Sequence, residues 1–165
     1  MKTKFFTFFL LMILMTSLHG EVYLKPSPQY KESVAVAAVY IEYQDMILLL
    51  HRQNHKSHGN TWGIPAGKIE KNETPLQAAI REVKEETGLD ISDRSVESFD
   101  PVYVEHNKKN HFAYYMFRTK LKEDPSRIKI NFEEHKGYTW VTPADALKMD
   151  LIQDEDPCIR MVYFP

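Results

Sequence analysis

Read along the chain, the order of elements is strand-rich, helix, strand-rich, helix. This predicts an α+β or α/β fold in which helices cover a mixed sheet. Three observations carry that expectation: one helix marked at both ends, a hairpin ahead of it, and a second pair of strands behind it. The helix opens at Thr74, an N-cap followed by Pro75 at the first helical position and by Gln77, which completes a Thr-x-x-Gln capping box. Gly88 supplies the stop. Between them Leu76, Ala79, Ile80 and Val83 form an apolar stripe at helical spacing that belongs against a sheet.

Residues 21–32, with Pro26 and Pro28, read as an extended lead-in. Ser33 to Tyr43 alternates as a strand does, and Met46 to Leu50 is a second apolar run after the turn at Gln44-Asp45, which together predict a hairpin. A polar loop, 51–60, leads to the short apolar stretch Trp62-Gly63-Ile64, closed by Pro65. Past the helix, Val96 to Glu105 and Phe112 to Leu121 read as two strands joined at a turn over 107–110. Tyr138 to Val141 reads as a short strand, Pro143 to Met149 as a helix of two turns, and Pro157 to Tyr163 as a last helix. There are no internal repeats.

Composition limits the function classes. With 165 residues, 43% hydrophobic and 12% aromatic, the chain suits one packed domain. Its 21 basic and 23 acidic groups leave a net charge of −2, which speaks against a nucleic-acid polymer as partner. One cysteine, Cys158, excludes an internal disulfide framework and a thiolate metal cluster. Lys2 and Lys4 precede an apolar run from Phe5 to Leu18, the layout of a secretory signal peptide over residues 1–20 and shorter than a stable membrane span. The expectation is therefore an exported protein, periplasmic or secreted. The alternative is a cytoplasmic chain that starts at Met12 or Met15.

The chemistry concentrates in the marked helix. Glu82, Glu85 and Glu86 sit at i, i+3 and i+4 and share one face. Such acidic faces are usually only solvated, but an oxygen-rich cluster also suits a hard cation such as Mg²⁺. The surroundings favour the second reading. From Gly67 the chain runs five residues to Glu73, seven more to Arg81, then Arg81-Glu82-Val83-Lys84-Glu85-Glu86-Thr87-Gly88-Leu89. Every fixed position of the Nudix box, Gly-x5-Glu-x7-Arg-Glu-U-x-Glu-Glu-x-Gly-U with U aliphatic, is filled. The chain thus resembles the Nudix hydrolases over a domain of 33–165.

The resemblance implies an α/β/α sandwich with a mixed β-sheet, the box forming a loop-helix-loop. It also implies hydrolysis of a nucleoside diphosphate linked to another moiety, a small-molecule nucleotide substrate, and Mg²⁺ or Mn²⁺ as cofactor. Carried over by position, Glu82, Glu85 and Glu86 and the backbone carbonyl of Ala66 are the expected metal ligands. Glu73 is the supporting carboxylate and Arg81 the charge partner that holds the acidic group together. Lys68, beside the metal site, is a candidate phosphate contact. The general base is either Glu82 or a later loop acid, and counting six residues back from Trp140 lands on Glu134.

From Arg52 to Leu89 the chain is similar to the MutT-like branch, which favours a nucleoside triphosphate pyrophosphohydrolase and makes Arg52 a candidate substrate ligand. Where that branch reads the purine with an asparagine, this chain has Gln153-Asp154-Glu155-Asp156-Pro157, so Glu155 or Asp154 takes the position. A carboxylate accepts from a base N–H but lacks the amide donor. The competing expectation there is a solvated acidic turn. Pro101 and Tyr103 fall short of the spacing that marks ADP-ribose and dinucleoside-polyphosphate enzymes, though ADP-ribose or nucleotide sugars remain the alternative substrates of an exported enzyme. His51, His55 and His58 have no cysteine partners and read as a solvated loop rather than a zinc site. The alternatives to an enzyme are a nucleotide-sensing module and a cation-stabilised structural domain. Neither accounts for a complete box.

Overall fold

The computed structural model describes residues 21–107, 110–126 and 128–165. The proposed signal segment, 1–20, and Lys108-Lys109 of the expected turn lie outside the described residues. The strands are β1 (Glu21–Tyr23), β2 (Val34–Tyr43), β3 (Met46–Arg52), β4 (Trp62–Gly63), β5 (Ala66–Lys68), β6 (Val96–Ser98), β7 (Val102–Asn107), β8 (Asn110–Lys120) and β9 (His135–Val141). The helices are α1 (Pro75–Thr87), α2 (Pro143–Ala146) and α3 (Glu155–Tyr163). Among the described residues no helix is long and apolar enough to cross a membrane.

All the described strands join one mixed sheet along the path β1-β7-β8-β2-β3-β4, with β5 on β2, β6 on β8 and β9 on β3. The β2–β8 pairing is parallel, from Val34 opposite Phe112 to Glu42 opposite Lys120. The hairpin turn forms as its sequence demands: Gln44 and Asp45 both take positive φ, 51° and 25°, the twist that a two-residue hairpin loop needs. Beyond the turn β2 and β3 part company, pairing only at Glu42–Ile47 and Tyr43–Met46. The wedge between them is filled by the segment 62–68. β4 lies along Leu50 and His51 of β3, and β5 lies along Val36 to Ala38 of β2. Pro65 sits between the two, its carbonyl accepting the Val39 N–H at 3.0 Å. The start of the box is thereby stitched onto the central strand.

Side-chain alternation on that strand makes the sandwich. Ala37 to Ile41 are all fully buried, as expected of a strand covered on both faces. Ala37, Val39 and Ile41 pack with Leu48, Leu50 and the α1 residues Ala78, Ala79 and Val83. Ala38 and Tyr40 face the other way, with Ile47 and Leu49, onto Ala146 of α2 and Cys158, Ile159 and Val162 of α3. The fold is an α/β/α sandwich, and α1 is the helix bounded by Thr74 and Gly88.

Several element boundaries differ from the sequence reading. The strand expected over Val96 to Glu105 breaks into β6 and β7, which pair with different parts of β8. Pro101, just ahead of β7, has no N–H to contribute to a ladder. The helix expected to reach Met149 stops at Ala146. Beyond it the chain makes tight turns, Lys148 N–H to the Asp145 carbonyl and Met149 N–H to the Ala146 carbonyl. α3 starts at Glu155, two residues before Pro157, because a proline in the first turn forfeits no helical hydrogen bond. β9 starts at His135, three residues ahead of Tyr138.

Candidate active site

Local sequence builds the helix that carries the carboxylates. Thr74 Oγ1 accepts the Gln77 N–H at 3.3 Å, and Gln77 Oε1 accepts the Thr74 N–H at 2.8 Å, closing the capping box. Gly88 ends the helix with φ 72°, a left-handed value that its missing Cβ allows. This fixes where residues 81, 82, 85 and 86 point.

Arg81 is the hub. Its Nε and one terminal nitrogen form a fork on Glu73, at 2.8 and 3.0 Å. The other terminal nitrogen donates to Glu82 at 2.6 Å and to Glu85 at 3.3 Å. A further bond from the forked nitrogen to the Lys68 carbonyl, at 3.0 Å, ties the cluster to β5. Glu73 also accepts the Glu70 N–H at 3.0 Å. The Arg81 fork therefore holds the Glu73 carboxyl below the usual carboxylate range. Glu82 moves the other way: burial raises it, Arg81 opposes the rise, and the charges of Glu86 and Glu85 add to it. A side chain at Gly67 would overlap the Glu82 carboxylate and push it off its bond to Arg81.

Glu86 is built differently. It is 5% exposed. One oxygen accepts the Ala66 N–H at 3.0 Å and the other meets His135 Nε2 at 2.9 Å. Among the described residues no three acidic, thiol or imidazole side chains already converge as a metal cage. The donor set nevertheless suits Mg²⁺ or Mn²⁺ in kind, being hard oxygens grouped on one helix face against the Ala66-Gly67 backbone.

Beside this cluster opens a pocket of about 480 Å³. Arg52, Ala66, Gly67, Lys68, Glu86 and Glu155 all line it, so the fold brings together residues that are up to about a hundred positions apart. Glu73, Arg81, Glu82, Glu85 and Glu134 do not line it. Glu134 instead pairs with Lys56 at 2.7 Å and lies 3.8 Å from Arg52. The Lys56 bond draws its carboxyl below the usual range.

The turn at Asp154-Glu155 is not the solvated one that its composition suggested. Asp154 is 9% exposed and Glu155 3%. Tyr40 donates to Glu155 Oε1 at 2.8 Å and Tyr114 to Oε2 at 3.3 Å. Burial pushes the Glu155 carboxyl up to about 7 against the pull of those two hydroxyls. Sequence reasoning missed Tyr40, Tyr114 and His135. The tyrosines read as core on strands, and the histidine had only its place beside Glu134 to mark it. Of the three histidines expected in a loop, His51 instead lies on β3 and stacks on Trp62 at 4.2 Å, and His58 lines the pocket.

The model of the NUDIX domain matches residues 31–162. The chain belongs to the Nudix family. Among its Nudix relatives, a dihydroneopterin triphosphate diphosphatase of Haemophilus influenzae is 32% identical over 146 residues, covering 82% of this chain and 90% of that one. An 8-oxo-dGTP diphosphatase of Proteus vulgaris is 40% identical over 63 residues, 38% of this chain and 56% of the other. A solved bifunctional NMN adenylyltransferase/ADP ribose pyrophosphatase of Francisella tularensis, complexed with AMP and a manganese ion, superposes with a TM-score of 0.63. It is 22% identical over 82% of this chain and 42% of its own. The protein is a Nudix pyrophosphohydrolase, and Nudix hydrolases act on nucleotide derivatives and generally use divalent metals.

Proposed function

We propose that this Nudix hydrolase removes pyrophosphate from a triphosphate whose ring carries a 2-amino-4-oxopyrimidine edge, as guanine and pterin rings do. The observation that carries this reading is the buried Asp154-Glu155 wall in the pocket that Ala66, Lys68 and Glu86 also line. Such an edge presents adjacent N–H donors. A carboxylate has about four acceptor sites, and Glu155 uses two of its own on Tyr40 and Tyr114. The substrates that name the two relatives, dihydroneopterin triphosphate and 8-oxo-dGTP, share that edge.

Glu82, Glu85, Glu86 and the Ala66 carbonyl would hold the divalent cation. Bound there, Mg²⁺ or Mn²⁺ supplies Lewis-acid polarisation of the phosphates and an acidified water. The chain's own groups do the rest. Arg52 keeps its Nε on the Ser57 carbonyl at 2.7 Å and has other donors for phosphate oxygens. Lys68 adds a second positive charge at the pocket. Arg81 and Glu73 keep the carboxylate face from flying apart. Glu82, whose proton affinity burial raises, is the better proton acceptor for an attacking water than Glu134, which Lys56 holds. Glu134 then serves to position Arg52. We also propose that residues 1–20 export the chain, on the strength of the charged and apolar pattern; N-terminal sequencing of the native protein tests this, with Glu21 as the expected first residue.

The function test is turnover with Mg²⁺ or Mn²⁺ across a panel: dihydroneopterin triphosphate, dGTP, 8-oxo-dGTP, dATP, dTTP, ADP-ribose and nucleotide sugars. Pyrophosphate release that favours the first three over dATP and dTTP is the expected result. Preference for ADP-ribose or a nucleotide sugar overturns the substrate reading. Nucleotide binding without turnover in either metal points to a sensing module.

A further inference from the structure

His135 is a buried polar side chain, 4% exposed, with no task in the proposed hydrolysis. It opens β9 on the far side of β3 from the box, and a register shift in the β3–β9 ladder pairs it with Arg52. Its Nε2 meets Glu86 Oε1 at 2.9 Å. Its other ring nitrogen, Nδ1, is buried with no hydrogen-bond partner among the described residues. A histidine kept for packing or for knitting loops together would commonly use both nitrogens; among the described residues this ring bonds to Glu86 alone.

The backbone around it serves the same residue. The Asn131 N–H donates to the Glu86 carbonyl at 3.1 Å, the Lys129 N–H to the Thr87 carbonyl at 2.8 Å, and the His135 N–H to the Asn131 carbonyl at 2.9 Å. The segment 129–135 therefore docks on the C-terminal end of α1 and delivers one imidazole N–H to one carboxylate oxygen. With the Ala66 N–H on the other oxygen at 3.0 Å, both edges of Glu86 are gripped from two different elements. Glu85, by contrast, is more than half exposed, and its ion pair is with Arg81 at 3.3 Å.

We propose that His135 is a positioning residue for the divalent-cation site: through Nε2–H it fixes the orientation in which Glu86 presents its remaining lone pairs. Carboxylates that bind metals are commonly oriented by such outer hydrogen bonds, and losing one costs about ten- to a hundred-fold in metal affinity. The proposal rests on Glu86 being a metal ligand, so its test has to separate the two claims.

The measurement is Mn²⁺ binding to the full chain, followed by loss of the free-ion electron paramagnetic resonance signal, without substrate. Four variants are compared with the wild type: His135→Gln, His135→Asn, His135→Leu and Glu86→Gln. A glutamine amide nitrogen reaches about as far as Nε2, an asparagine amide falls short, and leucine fills the space with no donor. The expected result is an affinity about ten- to a hundred-fold weaker in the Asn and Leu variants and within about threefold of wild type in the Gln variant. Adding His135→Asn to Glu86→Gln should then weaken binding no further. Equal affinity in the Gln, Asn and Leu variants overturns the positioning role. So does a loss that tracks the thermal midpoint rather than the donor's reach. If Glu86→Gln itself binds Mn²⁺ as wild type does, the ligand assignment fails and this inference fails with it. Loss in Glu86→Gln with none in the His135 variants removes His135 alone.

Discussion

Glu73 and Glu155 are the same side chain in opposite settings within one molecule. Glu73 meets a forked guanidinium, which holds its carboxyl low. Glu155 lies beneath the sheet's other face, where two tyrosine hydroxyls donate to it and the neighbour is another acid, Asp154; burial, with a smaller push from Asp154, raises it to about 7. The contrast separates two jobs. Arg81 draws Glu73, Glu82 and Glu85 together within hydrogen-bond reach of one guanidinium, the grouping of carboxylates that a cation site requires. A carboxyl poised near neutrality and fenced by hydroxyls is suited to reading neutral hydrogen-bonding groups.

The sharpest way to break that contrast is at the cation end. Glu85→Gln should lower kcat/KM by about a thousand-fold, the several kcal/mol that a metal-held charge contributes, measured as pyrophosphate release with the preferred triphosphate. A variant with unaltered turnover would mean that the acidic face is merely solvated. Next, Gly67→Ala places a methyl group on the Glu82 carboxylate. It should reduce kcat by about a hundred-fold and weaken Mn²⁺ binding in parallel.

The Glu155 end is read by stability. Its folded pKa of about 7 lies above the ordinary 4.5. Between those values the folded chain binds more protons than the unfolded one, so stability falls as pH rises through that window. Glu155→Gln keeps a neutral side chain with similar hydrogen bonding. It should match wild type near pH 4.5 and exceed it at about pH 8 by on the order of 2 kcal/mol, seen as a rise of several degrees in Tm. A variant that is less stable at both values would show that the ionised form is welcome where it sits. The smallest effect belongs to Glu134→Gln. As a holder of Arg52 it should raise KM several-fold and change kcat by less than about tenfold. A kcat loss of about a hundred-fold or more, with the acidic limb of the pH profile abolished, would restore it as the general base.

How much of the fold and the site was legible in the sequence depends on the range of the interactions. α1 could be bounded to the residue, since Thr74, Pro75, Gln77 and Gly88 act within a turn of themselves. The hairpin at Gln44-Asp45 was equally local. The box spacing carried the family, which the match over 31–162 established. Boundaries controlled by partners were missed: β6 and β7 separate because each meets a different stretch of β8.

By itself, then, the sequence determined the helix, its caps and the carboxylates at i, i+3 and i+4. These are set by dihedral preferences and by spacing along one helix. Only the tertiary structure decided that His135 reaches Glu86 across 49 positions, that Tyr40 and Tyr114 close over Glu155, and that Glu134 faces Lys56 and Arg52. Those pairings depend on how β2 and β3 splay and on which strands fill the wedge between them. Burial and proton affinity, unlike helical spacing, belong to the assembled neighbourhood rather than to any residue in it.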